Sequence, residues 1–267
     1  MDFGIKGKVA VITGGGSGMG KATAKLLAQE GVKLALVGRT PDKIEAAAQE
    51  VAQISETIPV TADLTKSEDV EAAKQKILDH YGTVDILVNS AGITGATGEF
   101  LELTEEDWYE TIEINFLGAV RVCRAFIPSM QQAGWGRIIL LGSEDAVHPY
   151  TEDMPYCATK AAILNFAKNL SKEYGKDGIL VNSVSPAYVE SPMTNAMMVK
   201  RSQEKDISFE KAVETFLAEE RPNIELHRRG RVEEVAAVIA FLCSQQCSFV
   251  TGSNYRVDGG SVPTVGT

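Results

Sequence analysis

Tyr156 and Lys160 lie four residues apart in a stretch with helical apolar spacing, so both side chains project from one helix face. A free tyrosine titrates near about 10 and is a poor general base at neutral pH. An adjacent ammonium stabilises the phenolate and lowers that value. The pair therefore suits proton transfer by a tyrosine acting as general acid or base. Tyr and Lys at this spacing also occur as plain surface neighbours, so the pair alone does not decide the matter.

A second group suits phosphate. Thr13-Gly14-Gly15-Gly16-Ser17-Gly18-Met19-Gly20 follows the first β-rich run and opens a helix. Glycines there let the chain turn sharply and bring backbone N–H groups close to a pyrophosphate, whose charge is favoured at a helix N-terminus. The segment lacks the Lys-Ser/Thr ending of a P-loop, which excludes that kind of ATPase. At the end of the second β-rich run comes Leu36-Val37-Gly38-Arg39-Thr40. An NAD-specific site places a carboxylate about 20 residues beyond the glycine turn, to bind the ribose and repel a 2′-phosphate. Gly38 stands there instead, and Arg39 follows with a guanidinium able to grip a phosphate. NADP is expected, with NAD as the alternative; Ser17, where a basic residue would help, and Asp42 nearby argue the other way.

Beside Ser143 lie two carboxylates, Glu144 and Asp145, followed by His148 and Tyr150. The carboxylates would repel acidic substrates or hold a polar or cationic group; otherwise they are solvated loop charges. Tyr188 and Met193 complete the candidate substrate residues. No Gly-x-Ser-x-Gly turn is present, which removes a serine hydrolase of that type.

The elements that must position these residues follow from periodicity. Runs at Lys8–Ile12, Lys33–Val37, Ile58–Thr61, Asp85–Asn89, Arg137–Leu141, Ile179–Val184 and Tyr255–Val257 are β-rich. Several are apolar almost throughout, which fits strands covered on both faces. Helical segments at Lys21–Glu30, Pro41–Ile54 and Ser67–Tyr81 alternate with them, and two more are expected at Thr104–Phe126 and Pro155–Tyr174. The pattern predicts a single α/β domain over residues 1–267, with a doubly wound, mostly parallel seven-stranded sheet. Only Glu190–Leu226 breaks the rhythm. Ile207, Phe209, Val213, Phe216 and Leu217 recur there at helical spacing, so it is expected to be a substrate lid with its own short helices.

The chain carries 26 basic against 36 acidic residues, a net charge of −10. That argues against nucleic acid or anionic lipid as partners, which need clustered positive charge. No run approaches a membrane span, no secretory leader is apparent, and a cytoplasmic location is expected. Cys123, Cys157, Cys243 and Cys247 show no zinc-ligand or Cys-x-x-Cys spacing and are expected as reduced core thiols, with no metal.

Taken in order, the motifs resemble the short-chain dehydrogenase/reductase family from Gly7 to Gly260. They are Thr13–Gly20, Asp63-Leu64, Asn89-Ser90-Ala91-Gly92, Asn115, Ser143, Tyr156-x-x-x-Lys160, Asn182, Pro186 with Ser191, and Val257-Asp258-Gly259-Gly260. The resemblance implies a Rossmann fold and a catalytic set of Asn115, Ser143, Tyr156 and Lys160. It implies cofactor contacts from Gly14, Ser17, Gly18, Met19, Gly20, Arg39, Asp63, Leu64, Asn89, Ala91, Gly92, Pro186, Val189 and Ser191, with Tyr156 and Lys160 also reaching the nicotinamide ribose. In the family, Asp63 matches the carboxylate for the adenine amine, Val189 the backbone holding the carboxamide, and Asn115 the holder of a relay water. Ala187 replaces the family's glycine after Pro186, and Ser191 its threonine. The activity implied is interconversion of a small ketone and a secondary alcohol, on a 3-oxoacyl thioester, sugar, polyol or broader carbonyl substrate, in a homodimer or homotetramer. The competing reading is a catalytically silent dinucleotide-binding regulator.

Overall fold

A computed structural model describes residues 2–266. Its seven strands are β1 (Val9–Thr13), β2 (Lys33–Gly38), β3 (Thr57–Thr61), β4 (Ile86–Asn89), β5 (Gly136–Leu141), β6 (Ile179–Pro186) and β7 (Asn254–Val257). They form one sheet in the order β3-β2-β1-β4-β5-β6-β7, and every pairing is parallel. Each expected run is a strand, with ends moved by one or two residues. The order reverses between β1 and β4, and the crevice outside the carboxyl ends of strands at such a switch point is where α/β sheets bind ligands.

Successive strand residues face opposite layers. Ala10, Ile12, Leu34, Leu36, Ile139 and Leu141 pack with Leu27 of α1 (Gly18–Gln29), Ile44 of α2 (Pro41–Ala52) and Ile239 of α9 (Val232–Cys243). Val11, Ala35, Val37, Ile138 and Leu140 pack with Ile77 of α3 (Ser67–Tyr81), Phe126 of α5 (Gly118–Ala133) and Ile163 of α6 (Met154–Tyr174). Covering both faces is what the unbroken apolar runs require. Each fully buried Leu, Ile or Phe contributes about 1.5–3 kcal/mol.

One expected helix is divided. In place of Thr104–Phe126 there are α4 (Glu105–Ile112), a π turn over Glu113–Leu117, and α5, which continues through Pro128. Thr104 caps α4 in a capping box with Asp107. The π turn holds Asn115, whose side chain bonds to a loop outside the helix. Such turns insert an extra residue and recur at functional sites. The first helix also begins earlier than Lys21, at Gly18, inside the glycine-rich turn.

Residues 190–226 form two helices, α7 (Pro192–Lys205) and α8 (Phe209–Glu220). They have a small core of their own, in which Tyr188, Met198, Phe216 and Ile224 are buried against Phe209, Val213 and Leu217. Arg201 of α7 is ion-paired with Glu219 of α8, and Lys205 reaches the same carboxylate at 2.9 Å. All four cysteines are buried free thiols. Among the described residues no helix is long and apolar enough to cross a membrane, and no cluster could hold a metal ion.

Candidate active site

The cleft at the switch point is lined by Gly14, Ser17, Arg39, Asp63, Leu64, Ala91 and Gly92, among others. Its floor is a close approach of backbones. Gly14 has φ +66°, and a Cβ on it would lie 2.9 Å from the Ala91 nitrogen. A Cβ on Gly20 would meet the Gly14 oxygen at 2.5 Å, so only glycine closes this turn without displacement. Ser17 is the N-cap of α1, and its side chain accepts no capping bond, which leaves the helix N-terminus open toward an anion. These features fit the pyrophosphate of a dinucleotide. Met19 turns its side chain onto the core below, so the backbone is what that position presents to the cleft.

Asn89 lies deeper than the family's motif implies. It is buried and accepts from Thr13 Oγ1 at 2.8 Å, and Thr13 Oγ1 in turn accepts from the Ala91 backbone at 3.2 Å. Asn89 therefore supports the cleft through Thr13 rather than lining it.

At the end of the cleft expected to hold adenosine, Arg39 is joined by Lys43, a residue the sequence reading did not single out. Both are exposed. Asp42 sits in the first turn of α2, outside the cleft lining. A Cβ on Gly38 would come within 2.7 Å of Ile44, which is itself buried, so an acidic side chain there would have to displace it. Asp63 Oδ1 accepts from the Thr65 N–H at 3.0 Å and from its hydroxyl at 2.9 Å. The Thr65 amide bond is the main reason its carboxyl lies below the ordinary range, with Arg39 adding to it. Leu64 flanks it.

The four expected catalytic residues come from three segments, the π turn (Asn115), the loop after β5 (Ser143) and α6 (Tyr156 and Lys160), and Asn115 and Lys160 stand beside Gly92 of this cleft. Asn115 Oδ1 accepts from Ile93 N at 2.8 Å, and its Nδ2 donates to Ile93 O at 2.9 Å, which fixes the loop after β4. A Cβ on Gly92 would lie 3.1 Å from Asn115 Oδ1 and 3.8 Å from Lys160 Nζ, so these groups are neighbours. Lys160 is buried, donates to Leu141 O at 2.8 Å and stands 5.4 Å from the Tyr156 ring centroid. Burial lowers its pKa to about 8, while Asp145 acts in the opposite direction.

Tyr156 departs from expectation. Its pKa is raised, not lowered, first by burial and then by the charge of Asp145, with the Ser143 hydroxyl acting the other way. The phenol is buried with Asp145 and Asp153 facing it, and both the burial and those charges disfavour the phenolate.

Glu144 and Asp145 are not solvated loop charges. Both are buried in a 3₁₀ turn after β5. Ser143 Oγ donates to Asp145 Oδ1 at 2.8 Å. Glu144 Oε1 accepts from the Tyr150 hydroxyl at 3.3 Å, and its Oε2 has no hydrogen-bond partner among the described residues. Burial pushes Glu144 up to about 7, helped by Asp145 and opposed by Ser261 and Arg221. Burial likewise raises Asp145. His148 Nε2 lies 3.3 Å from Asn223 Nδ2, joining this turn to the segment after α8.

At the end expected to hold the nicotinamide, Pro186 closes β6 and Val189 bridges to Gly230. The Val189 carbonyl accepts from Thr194 Oγ1 at 2.6 Å, and Ser191 caps α7 by accepting from Thr194 N at 3.2 Å. Met193 is half exposed and accepts from Thr94 Oγ1 at 3.2 Å across the cleft. Tyr188 points away from the catalytic group: it stacks on Phe216 at 4.6 Å and donates to Thr194 O. Arg221, at the end of α8, lies 3.6 Å over the Tyr150 ring and 3.8 Å from Asp153.

The model of the short chain dehydrogenase family matches residues 8–202. The chain belongs to that family. It is 34% identical to the 3-oxoacyl-[acyl-carrier-protein] reductase of Thermotoga maritima over 97% of this chain and 99% of that protein. The L-sorbose reductase of Gluconobacter frateurii, solved with NADPH and L-sorbose, superposes with a TM-score of 0.94 at 34% identity, covering 99% of this chain and all of that one. The 3-ketoacyl-(acyl-carrier-protein) reductase of Brucella melitensis, solved with NADH, gives 0.84 at 32%, covering 97% and 99%. The chain is thus an NAD(P)-dependent oxidoreductase acting between ketones and alcohols.

Sequence reading missed Lys43, Thr194, Arg221, Asn223 and Ser261, and gave Thr13 only as the start of the glycine-rich turn. Lys43 had a signal, lying four residues after Arg39 in the first turns of a proline-started helix. Arg221 had none, because its partners are brought near only by the folding of residues 190–226.

Proposed function

We propose that this dehydrogenase-family protein is an NADP(H)-preferring reductase of a small, hydroxyl-rich ketone, with Tyr156 as proton donor. When bound, the nicotinamide supplies the hydride. Ser143 and Tyr156 meet the carbonyl oxygen, Lys160 supports Tyr156 and the ribose, and Asn115 keeps the neighbouring loop in place. Arg39 and Lys43 receive the 2′-phosphate. Residues 190–226 act as a lid, and Arg221 anchors its far end against Tyr150 and Asp153.

The observation that carries the choice of substrate is the polar wall beside Ser143. Glu144, Asp145, Tyr150, His148, Asn223 and Arg221 together suit hydroxyl groups better than a hydrocarbon chain. The likeness to an L-sorbose reductase agrees with this reading. The likeness to 3-oxoacyl reductases favours a second one, a 3-oxoacyl thioester. No residue of the site favours a silent dinucleotide-binding regulator. A cytoplasmic homo-oligomer is part of the same proposal, with α4, α5 and α6 as the expected two-fold surface.

The test is loss of NADPH absorbance with L-sorbose, other ketoses, levodione and acetoacetyl thioesters, repeated with NADH. Ketoses turning over with at least about tenfold higher kcat/KM than thioesters support the proposal. The reverse order favours the thioester reading, and no turnover of any ketone refutes both.

A further inference from the structure

The Ser143 hydroxyl has one proton, and Asp145 takes it. Ser143 Oγ donates to Asp145 Oδ1 at 2.8 Å and accepts from the Asp145 backbone N–H at 3.3 Å. A hydroxyl offers one donor and two acceptor positions. One acceptor position is therefore left to face a substrate. With Asp145 ionised, Ser143 can receive a hydrogen bond from an alcohol but has none to give a carbonyl oxygen. With Asp145 protonated, the carboxylic O–H donates to Ser143 Oγ, and the serine hydrogen is released toward the substrate.

We propose that Asp145 is a positioning residue that sets the direction of the Ser143 hydrogen bond, so that the site takes ketones when Asp145 carries a proton and alcohols when it does not. The inference rests on the reductase reading above, which places Ser143 at the substrate oxygen.

The charges facing Asp145 come from every element around it. Arg221 at the end of α8 and Lys160 on α6 favour its ionised form, as does the Ser143 hydroxyl. On the other side stand Glu144 and Tyr150 from its own loop, Asp153 before α6, and Tyr156 and Cys157 on α6; Asp145 makes each of these harder to ionise. Burial outweighs the two cations and raises Asp145 above the ordinary carboxyl range.

The proton on Asp145 orients and is not consumed. In reduction, hydride from NADPH forms the new C–H bond at the carbonyl carbon, and the π electrons move to oxygen. That oxygen takes the Tyr156 proton, which solvent replaces. The sum is ketone, NADPH and one proton giving alcohol and NADP+.

The experiment measures kcat/KM against pH in both directions, using the ketone that turns over fastest in the panel and its own reduction product. In wild type, reduction weakens as pH rises through the titration of Asp145, and oxidation strengthens. In Asp145→Asn the side-chain N–H can donate to Ser143 as the protonated acid does. The acid-side inflection then disappears, reduction stays within about threefold of the wild-type low-pH plateau, and oxidation at high pH falls about tenfold or more, the worth of one good hydrogen bond. Asp145→Ala, which also frees the serine hydroxyl, loses the inflection too and serves if the Asn variant fails to fold. Glu144→Gln retains the inflection. The inference is overturned if wild type shows no opposed profiles, if both Asp145 variants keep the inflection, if it vanishes with Glu144→Gln, or if both directions fall equally with unchanged profile shape. Absence of turnover with every ketone sinks the reductase reading itself, whereas turnover with unmoved profiles sinks the role of Asp145 alone.

Discussion

Asn115 and Ile93 exchange two hydrogen bonds, one in each direction, so a single amide side chain acts on the loop after β4 as a neighbouring strand would. The clamp joins the π turn to the backbone beside Gly92, next to Lys160. An asparagine is costly in a helix interior because its side chain competes for backbone groups. A π turn tolerates that competition by turning the side chain outward to the loop.

Removing the clamp therefore weakens both the fold and cofactor binding. Asn115→Ala leaves the Ile93 N–H and C=O without these partners, at roughly 2–3 kcal/mol for the pair in a part-buried setting. For a chain of this size each kcal/mol lowers Tm by roughly 2–4 °C. A fall of roughly 4–12 °C is expected, together with weaker NADPH binding by fluorescence titration. Melting and affinity equal to wild type would remove Asn115 from this role.

Tyr156→Phe removes only the proton donor. Turnover is expected to fall about a hundred- to ten-thousand-fold with NADPH affinity nearly unchanged. Lys160→Ala should lower both, because its ammonium is buried beside the cofactor cleft as well as beside Tyr156. Steady-state rates with NADPH titrations separate the two patterns. A Phe variant with near wild-type kcat would show that the proton comes from elsewhere.

The parts of this site that were legible in the sequence are those fixed by short spacing. Tyr156 and Lys160 share a helix face because four residues separate them, and Gly14–Gly20 lie where β1 must turn into α1. The sheet was legible because its strands are buried on both faces and so are apolar without alternation. What could not be read depends on segments far apart in the chain. The raised pKa of Tyr156 follows first from its burial and then from the placement of Asp145, and the spacing carries neither. The burial of Glu144 follows from Tyr150 and Ser261 closing over it, the latter more than a hundred residues away. The π turn was hidden because its apolar spacing is close enough to that of an α-helix to read as one.

Glu144 also makes stability depend on pH. It is 2% exposed and its folded pKa of about 7 lies above the model-peptide value of 4.5. Between those values the folded state holds a proton that the unfolded state has lost, so stability falls as pH rises through that window. The full effect is on the order of 3 kcal/mol above pH 7, taking about 1.36 kcal/mol per unit as the conversion. Glu144→Gln keeps the shape without the charge. Its Tm should exceed that of wild type at pH 8 and match it near pH 4.5, by scanning calorimetry. Parallel Tm curves for the two proteins across that range would mean that Glu144 does not titrate on folding.

Cofactor choice turns on Arg39 and Lys43 acting together. Both line the adenosine end of the cleft, and the place where an NAD-specific site keeps its carboxylate is Gly38, packed against Ile44. No acid side chain at that position opposes a 2′-phosphate, and two cations are at hand to meet one. Arg39 offers the planar fork that matches a phosphate and can also stack on adenine, whereas Lys43 offers charge alone. Arg39→Ala is therefore expected to lower kcat/KM with NADPH about tenfold to a hundredfold while changing NADH by less than about threefold, on the scale of one or two charge-assisted bonds. Lys43→Ala should cost less, roughly threefold to tenfold, and its effect should shrink with added salt because the group is exposed. The double variant should prefer NADH or show no preference. Stacking without phosphate recognition gives a different result, since Arg39→Ala would then weaken both cofactors alike. Equal losses with NADPH and NADH, or a wild type that prefers NADH, would remove both residues from the selection of NADP.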